Sequence, residues 1–217
     1  MTPTAPLRPL QARAAHPPPD RVRRRGLLAL AALLGGCAAP SAPTPWLLLR
    51  TDPGRPLGGA AAPAPGPAGT LTAWQLLPLR LAEYLERDAL WLPQGSAQVL
   101  AGPRWAEPLR DAAARTLAHD LGLLLGAGRV WRAPLPAAAL PALGQIGVEL
   151  LALDLSADRH SLLLRARWWS QAPQGGPGRS DSLALPVAIG GSGIDALVAA
   201  HREALARLAE SIAATLR

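Results

Sequence analysis

Residues 146–155 read IGVELLALDL and residues 161–169 read SLLLRARWW, with a polar turn at 157–160 between them. Because side chains alternate between the two faces of a strand, the second segment has one wholly apolar face and one face with two arginines. The apolar face consists of Leu162, Leu164, Ala166 and Trp168, and the other of Leu163, Arg165, Arg167 and Trp169. This pattern predicts an antiparallel hairpin that is buried on one face and partly solvated on the other.

An amphipathic helix is predicted before this hairpin, over residues 108–125. Pro108 fits the first helical position, where its missing N–H costs no hydrogen bond, and Gly126 and Gly128 end the helix. The apolar stripe comprises Leu109, Ala113, Leu117, Leu121 and Leu124. Its spacing of three and four residues indicates a helix with one buried face.

A second amphipathic helix is predicted after the hairpin. It begins at Ser192-Gly193-Ile194-Asp195, which fits a capping box. Its apolar stripe comprises Ile194, Leu197, Val198, His201, Leu205, Leu208, Ile212 and Leu216. His201 lies on this stripe, so we expect a histidine in the core or at its boundary rather than a ligand.

Shorter extended segments complete the domain. Strands are predicted at 46–50, 71–81, 89–92, 97–100, 130–131 and 182–189, with a turn at 93–96. The order of strands, helix, strands and helix predicts an α/β fold. We expect a mixed, largely antiparallel sheet covered by two main amphipathic helices, as a layered α/β sandwich.

The amino-terminal segment has the parts of an export signal in the expected order. A basic run, RVRRR at 21–25, precedes the apolar run GLLALAALL at 26–34, which is about half the ~20 residues that a membrane-spanning helix needs. Gly35 and Gly36 then lead directly into Cys37. This ending resembles a lipobox and predicts a lipoprotein signal peptide at 1–36.

The lipobox resemblance implies cleavage between Gly36 and Cys37, with a diacylglyceryl thioether and an N-acyl chain on Cys37. Three acyl chains make a stable anchor, whereas one chain binds only marginally. Ala38 lacks the acidic character that favours inner-membrane retention in enterobacteria. We therefore expect a chain that is lipid-anchored in the outer membrane, on its periplasmic side.

Two features of this leader stay open. Residues 1–20 contain three successive prolines, and a start at Val22, read from a GTG codon, would leave a compact basic segment. The run at 23–27 also loosely resembles a twin-arginine signal, as an alternative to the general secretory route.

Most of the formal charge of +7 belongs to this leader. Six of the 22 basic residues and one of the 15 acidic residues lie before Cys37, so the rest of the chain carries about +2. No basic block with interleaved aromatic residues remains, which argues against nucleic-acid binding.

The mature chain divides into a tether and a domain. Residues 37–45 hold the lipidated cysteine and a tether rich in Pro, Ala and Ser. Residues 46–217 form the domain, with a Pro/Gly/Ala-rich insertion at 53–69.

Catalytic patterns are missing from the sequence. The chain has no Lys, so a phosphate-binding P-loop and Schiff-base chemistry are excluded, and Ile194 replaces the last glycine of a nucleophile elbow at 190–194. His119, His160 and His201 show no metal-ligand spacing. We expect no enzyme, no metal site and no cofactor beyond the lipid on Cys37.

Two blocks resemble a known family. The segment 78–85, PLRLAEYL, is followed by an extended pair and then by Trp105-Ala106-Glu107-Pro108-Leu109 at a helix start. Together with Trp168 in a late strand and the final helix, they resemble the ABC-type transport auxiliary lipoproteins. This is the family of the paraquat-inducible protein C lipoprotein.

The resemblance implies an auxiliary component of an intermembrane lipid-transport system. Its partners would be an MCE-domain protein, a permease and an ATPase. A homo-oligomer is conceivable, although nothing in the periodicity requires one. Tyr84, Trp91 and Trp105 are the candidates for partner contact, because aromatic residues anchor interfaces. For Trp105 we favour packing beside the helix start, and for Tyr84 both roles stay open.

The alternative function is a carrier lipoprotein that itself binds a lipid or another hydrophobic ligand. A carrier needs a sizeable apolar pocket between the sheet and the helices. The sequence alone does not separate it from a docking component.

Overall fold

The predicted hairpin forms and organises the larger of two sheets. In the computed structural model, which describes residues 44–51, 72–92, 98–135 and 143–216, strand β7 (Leu143–Leu155) pairs antiparallel with β8 (Ser161–Gln171). The apolar face predicted for β8 is buried, and Arg165, Arg167 and Trp169 are exposed on the other face. The hairpin prediction is therefore confirmed, including the assignment of its two faces.

Strand β9 (Gly178–Ala188) pairs antiparallel with β8 along its whole length and forms an edge of this sheet. It begins four residues before the predicted strand at 182–189. The Ile189 N–H donates to the His160 carbonyl at 2.8 Å. Because the backbone N–H groups of successive residues point alternately towards β8 and away from it, the nitrogen of Pro186 faces the free edge of the sheet. A proline is tolerated there because no ladder hydrogen bond is lost.

The other side of β7 carries parallel strands. The prediction of a single strand at 71–81 is wrong. The segment contains two strands, β2 (Ala73–Leu76) and β3 (Arg80–Leu81), both parallel to β7. Pro78 lies between them and cannot donate to a ladder. Strand β6 (Val130–Trp131) pairs parallel with β2, as the outer strand on this side.

The remaining strands form a separate three-stranded sheet. Its order is β1 (Trp46–Leu47), β5 (Gln98–Trp105) and β4 (Ala89–Leu92). Strand β1 is parallel to β5, and β4 is antiparallel to it. Strand β1 is shorter than predicted and β5 is longer. The predicted turn at 93–96 lies outside the described residues.

Both predicted helices form, each with a corrected start. Helix α1 (Leu109–Leu125) begins one residue after Pro108, which occupies the cap position, and ends at Gly126 with a φ of 114°. Helix α2 (Ile194–Leu216) begins directly after Gly193. Ser192 therefore lies one residue too early for the predicted capping box.

The helices pack on each other, and α2 covers the buried face of β8 and β9. The Trp168 indole N–H donates to the Thr215 hydroxyl at 3.3 Å, which ties β8 to the end of α2. A continuous core of buried side chains fills the space between the strands and the helices. Among the described residues, the fold is a mixed α/β arrangement with two helices and mostly antiparallel sheets that do not close into a barrel, as predicted.

The described residues belong to one compact unit that begins at Thr44. The expected signal peptide at 1–36, the lipid site at Cys37 and the insertion at 53–69 lie outside the described residues. No helix among the described residues is both long enough and apolar enough to span a membrane.

Candidate functional site

Two of the three predicted contact residues lie together. The rings of Tyr84 and Trp91 meet edge to face, with 5.5 Å between their centroids and an interplanar angle of 86°. Tyr84 lies in a short 3₁₀ turn (Glu83–Glu86), and its hydroxyl donates to Oδ1 of Asp154 on β7 at 2.8 Å. Both rings are partly buried against the core. Tyr84 therefore holds the 3₁₀ turn against β7 through Asp154 and against β4 through Trp91. Part of each ring remains accessible.

Burial sets the protonation of this contact. Desolvation raises the pKa of the Asp154 carboxyl above its ordinary value, and the hydrogen bond from Tyr84 opposes this shift. Burial, followed by the hydrogen bond to Asp154, raises the pKa of the Tyr84 hydroxyl. At neutral pH Tyr84 is therefore a hydrogen-bond donor and not a proton acceptor, which suits a structural contact better than acid–base chemistry.

Trp105 lies away from this pair and is a core residue. Its side chain is 3% exposed, and its ring meets the His201 imidazole edge to face at 5.0 Å. A partner cannot reach the indole without opening the core. The structure thus places Trp105 in the core, as we favoured, and not on a surface that a partner could contact.

His201 is buried, as expected of a core histidine. Its Nδ1 donates to the Leu197 carbonyl at 2.7 Å, while Nε2 has no partner among the described residues. Burial, only partly offset by the Leu197 bond, lowers the pKa of the imidazole to about 4. The ring is therefore neutral at physiological pH.

The described residues offer no metal centre. No group of three or more His, Cys, Asp or Glu side chains within residues 44–51, 72–92, 98–135 and 143–216 could hold an ion. His160 lies in the exposed hairpin turn, and His201 is in the core.

An open cleft of about 1100 Å³ lies on the surface formed by the described residues. It lies where the solvated face of β7, β8 and β9 meets residues 77–81, which follow β2 and include β3. We call it the sheet cleft. Its lining includes Pro78, Arg80, Gly147, Glu149, Arg167 and Trp169.

Trp169 dominates the sheet cleft. It is 43% exposed and stands opposite Gly147 on β7 and Ser180 on β9. A Cβ added to Gly147 would lie 2.3 Å from the Trp169 ring. The indole therefore lies directly over the glycine, on a sheet face whose neighbouring positions are small.

The charged groups of the sheet cleft are arranged mainly in pairs. Arg167 Nε donates to Oε2 of Glu149 at 2.6 Å, and Arg110 pairs with Glu86 at the rim. Arg80 forms no ion pair with a described side chain. Exposed pairs of this kind contribute little to stability, so they leave charged groups free to exchange partners. An exposed indole beside such groups is suited to binding a polypeptide segment.

The sequence analysis placed Trp169 on the solvated face but did not single it out. The available signal was an isolated glycine inside a strand, which marks close approach by another group. Which group approaches Gly147 depends on the register of β7 against β8, and the register is a property of the paired strands.

A second cleft of about 610 Å³ lies between the hairpin turn and the start of α2. Its apolar lining includes Leu155, Ile189, Ile194 and Leu197, with Arg159 and His160 at the turn. We call it the apolar cleft.

Together the fold and the sheet cleft define an α/β domain that offers an exposed aromatic surface. Residues 57–213 match the family described as the ABC-type transport auxiliary lipoprotein component. The chain belongs to this family, which associates it with a membrane and with an ABC-type transport system. The match begins after Cys37, so the expected lipid site is outside it.

Two solved structures share the fold. A crystal structure of an uncharacterized protein covers 81% of this chain and 99% of its own, at 15% identity and a TM-score of 0.64. The structure of protein XCC0632 from Xanthomonas campestris, of the DUF330 family, covers 79% of this chain and 93% of its own, at 16% identity and a TM-score of 0.50. No curated protein matches the chain.

Proposed function

We propose that this chain is a non-enzymatic docking component of an ABC-type lipid-transport system, anchored through acylated Cys37 to the outer membrane on its periplasmic side. Its partner is an MCE-domain protein that works with a permease and an ATPase. The observation that carries the proposal is the sheet cleft, where Trp169 is exposed on a member of a transport auxiliary family.

The chemistry of the chain supports docking rather than catalysis. The absence of Lys from the sequence removes the usual phosphate-binding residue of a P-loop. The energy for transport therefore comes from the separate ATPase, and this chain supplies position and contact.

The sheet cleft is suited to a segment of a protein partner. Trp169 offers a rigid aromatic surface that loses little side-chain entropy on binding, and tryptophan is enriched among residues that dominate interfaces. Arg80 and the Arg167–Glu149 pair supply charge on the same surface. Tyr84 and Trp91 remain candidates for a second contact, because each keeps part of its ring accessible.

The test is binding of an MCE-domain protein from the same organism, measured with Trp169→Ala and with Leu123→Ala as the matched control. The two side chains are similarly exposed, at 43% and 45%, but Leu123 lies on α1 and does not line the cleft. We expect Trp169→Ala to weaken binding at least about tenfold, which corresponds to about 1.4 kcal/mol. Leu123→Ala should bind like the wild type.

Gly147→Ala tests the same surface without removing the indole. The added Cβ displaces the Trp169 ring from the sheet, so binding should fall. The matched control is Gly122→Ala, which adds a Cβ in open space on α1 and should leave binding unchanged. Wild-type affinity in both Trp169→Ala and Gly147→Ala contradicts docking at the sheet cleft. Absence of neighbouring genes for an ATPase, a permease and an MCE protein argues against the whole assignment.

The apolar cleft favours a second candidate function, a carrier of a hydrophobic ligand. Its lining by Leu155, Ile189, Ile194 and Leu197 offers an apolar surface of suitable size. Mass spectrometry of the purified full chain after exposure to a lipid extract separates the two functions. A stoichiometric, non-covalently bound lipid contradicts a pure docking role.

A further inference from the structure

The domain begins with an aromatic and basic surface, which we call the entry patch. It consists of the exposed Trp46, Leu48 and Arg50 and the partly exposed Arg104. Trp46 is 60% exposed and Leu48 is 38% exposed. These values make Trp46 the most exposed large hydrophobic side chain among the described residues. The entry patch is distinct from the sheet cleft, none of whose lining residues belong to it.

The backbone explains why this surface faces outward. Leu47 is 1% exposed and Leu49 is 0% exposed, so both point into the core. The side chains between and beside them, Trp46, Leu48 and Arg50, point to the opposite, solvent-exposed side. Strand β1 is parallel to β5, with Trp46 in register with Arg104 and Leu47 with Trp105. Trp105 and Leu47 enter the core together, which leaves Trp46 and Arg104 side by side on the outer face.

The entry patch carries positive charge that the described part of the domain does not neutralise. Neither Arg50 nor Arg104 forms an ion pair with a described side chain. The Arg104 backbone N–H donates to the Pro45 carbonyl at 3.0 Å, which fixes this position to the start of the domain. Two guanidinium groups on the same side of the chain as an exposed indole complement the phosphates and the interfacial region of a lipid surface.

The length of the preceding chain brings this surface to a membrane. Eight residues, 38–45, separate Cys37 from Trp46, and a proline-rich segment of that length extends about 25 Å. The first exposed side chains of the domain are therefore restricted to the neighbourhood of the anchoring bilayer.

We propose that the entry patch contacts the lipid surface itself and orients the domain on it, with Trp46 at the level of the headgroups and Arg50 and Arg104 against anionic lipid phosphates. This inference rests on the proposed acylation of Cys37. It adds an orientation: the entry patch faces the bilayer, and the sheet cleft with Trp169 stays in water for a partner.

The test uses the full chain, purified from membranes and placed in vesicles of phosphatidylethanolamine and phosphatidylglycerol. Tryptophan fluorescence is quenched either by brominated lipid in the bilayer or by iodide in the water. Because the chain contains seven tryptophans, the contribution of each site is read as the difference between the wild type and Trp46→Phe or the matched control Trp169→Phe.

We expect brominated lipid to quench the emission that Trp46→Phe removes, and iodide to quench the emission that Trp169→Phe removes. Arg50→Gln with Arg104→Gln should lower the brominated-lipid quenching, and added salt should lower it in the wild type. Iodide quenching of Trp46 in the vesicle-bound chain overturns the proposal. So does shielding of Trp46 from both quenchers, which indicates a protein partner or a second copy.

Mass spectrometry of the same sample separates this inference from the proposed anchor. An acylated Cys37 with Trp46 in water contradicts the entry patch alone. An unmodified Cys37 overturns both the anchor and the patch, because the chain would then have no reason to remain at the surface.

Discussion

His201 illustrates how one side chain can be constrained from several directions. It lies on the apolar stripe of α2, its ring meets Trp105 from β5, and its Nδ1–H reaches the Leu197 carbonyl one turn earlier. Burial removes the solvent that would stabilise an imidazolium. The residue is thus a neutral part of the core whose main chemical consequence is a dependence of stability on pH.

We predict that His201→Phe removes a pH-dependent part of the free energy of unfolding. Burial lowers the pKa of His201 from an ordinary 6.5 to about 4, so between these values the unfolded chain binds more protons and stability falls as pH falls. The loss amounts to roughly 3 kcal/mol at pH 4 compared with pH 7. Urea denaturation at pH 4, 5, 6 and 7 measures it.

The control for this prediction is the exposed His160→Phe, which should keep the wild-type pH profile. An unchanged difference between pH 7 and pH 4 in His201→Phe would contradict the assignment of the profile to the buried imidazole. Because the apolar variant keeps a ring against Trp105, its stability at pH 7 should stay close to that of the wild type.

At the scale of elements, the two helices are joined by a buried ion pair. Arg202 on α2 donates through both terminal nitrogens to the Asp120 carboxylate on α1, at 2.5 and 2.6 Å. The Asp120 side chain is fully buried and that of Arg202 is 8% exposed. A bidentate pair in this setting sets the alignment of one helix on the other.

We predict that Asp120→Leu or Arg202→Met alone lowers the free energy of unfolding by about 3–5 kcal/mol, because each leaves a buried charge without its partner. The double variant removes both charges and should recover most of the loss. Chemical denaturation of the four proteins gives the coupling energy.

Arg207→Met is the matched control on the same helix. Its pair with Glu203 is exposed, with Arg207 at 56%, so its loss should cost less than about 1 kcal/mol. A double variant no more stable than either single variant would contradict the role of the charge pair and assign the loss to packing.

Element prediction succeeded where one periodic pattern dominated. The alternation in β8 and the stripes of α1 and α2 predicted these elements and their buried faces, because each pattern depends only on neighbours along the chain. The single strand predicted over 71–81 is interrupted at Pro78, because proline cannot donate a hydrogen bond to the ladder. The division into two sheets could not be predicted, because it depends on the pairing of β1 with β5, which is distant from it in sequence.

At the scale of the whole molecule, the proposed function depends on the attachment of the domain. A tether of eight residues, 38–45, follows the proposed lipid site. The sheet cleft and the entry patch draw on different strands, so one surface can face lipid while the other receives a partner.

We predict that Cys37→Ser abolishes fatty-acid incorporation and moves the chain out of the membrane fraction. The chain has one cysteine, and the anchor depends on its acyl chains. Radiolabelled palmitate and cell fractionation measure both effects. Ala38→Asp is the control: it should keep the label but move the chain to the inner membrane. Label or membrane association that persists in Cys37→Ser contradicts the anchor.

The sequence by itself determined the class of elements, the buried faces of the hairpin and helices, the expected lipid site at Cys37 and the family resemblance, which the family match confirms. Only the tertiary structure decided that Trp105 is buried and that Trp169 lies over Gly147 in an open cleft. It also decided that Trp46 and Arg104 share a surface. Periodicity is a local property of the chain, whereas burial and register are set by residues that are distant in sequence and adjacent in space.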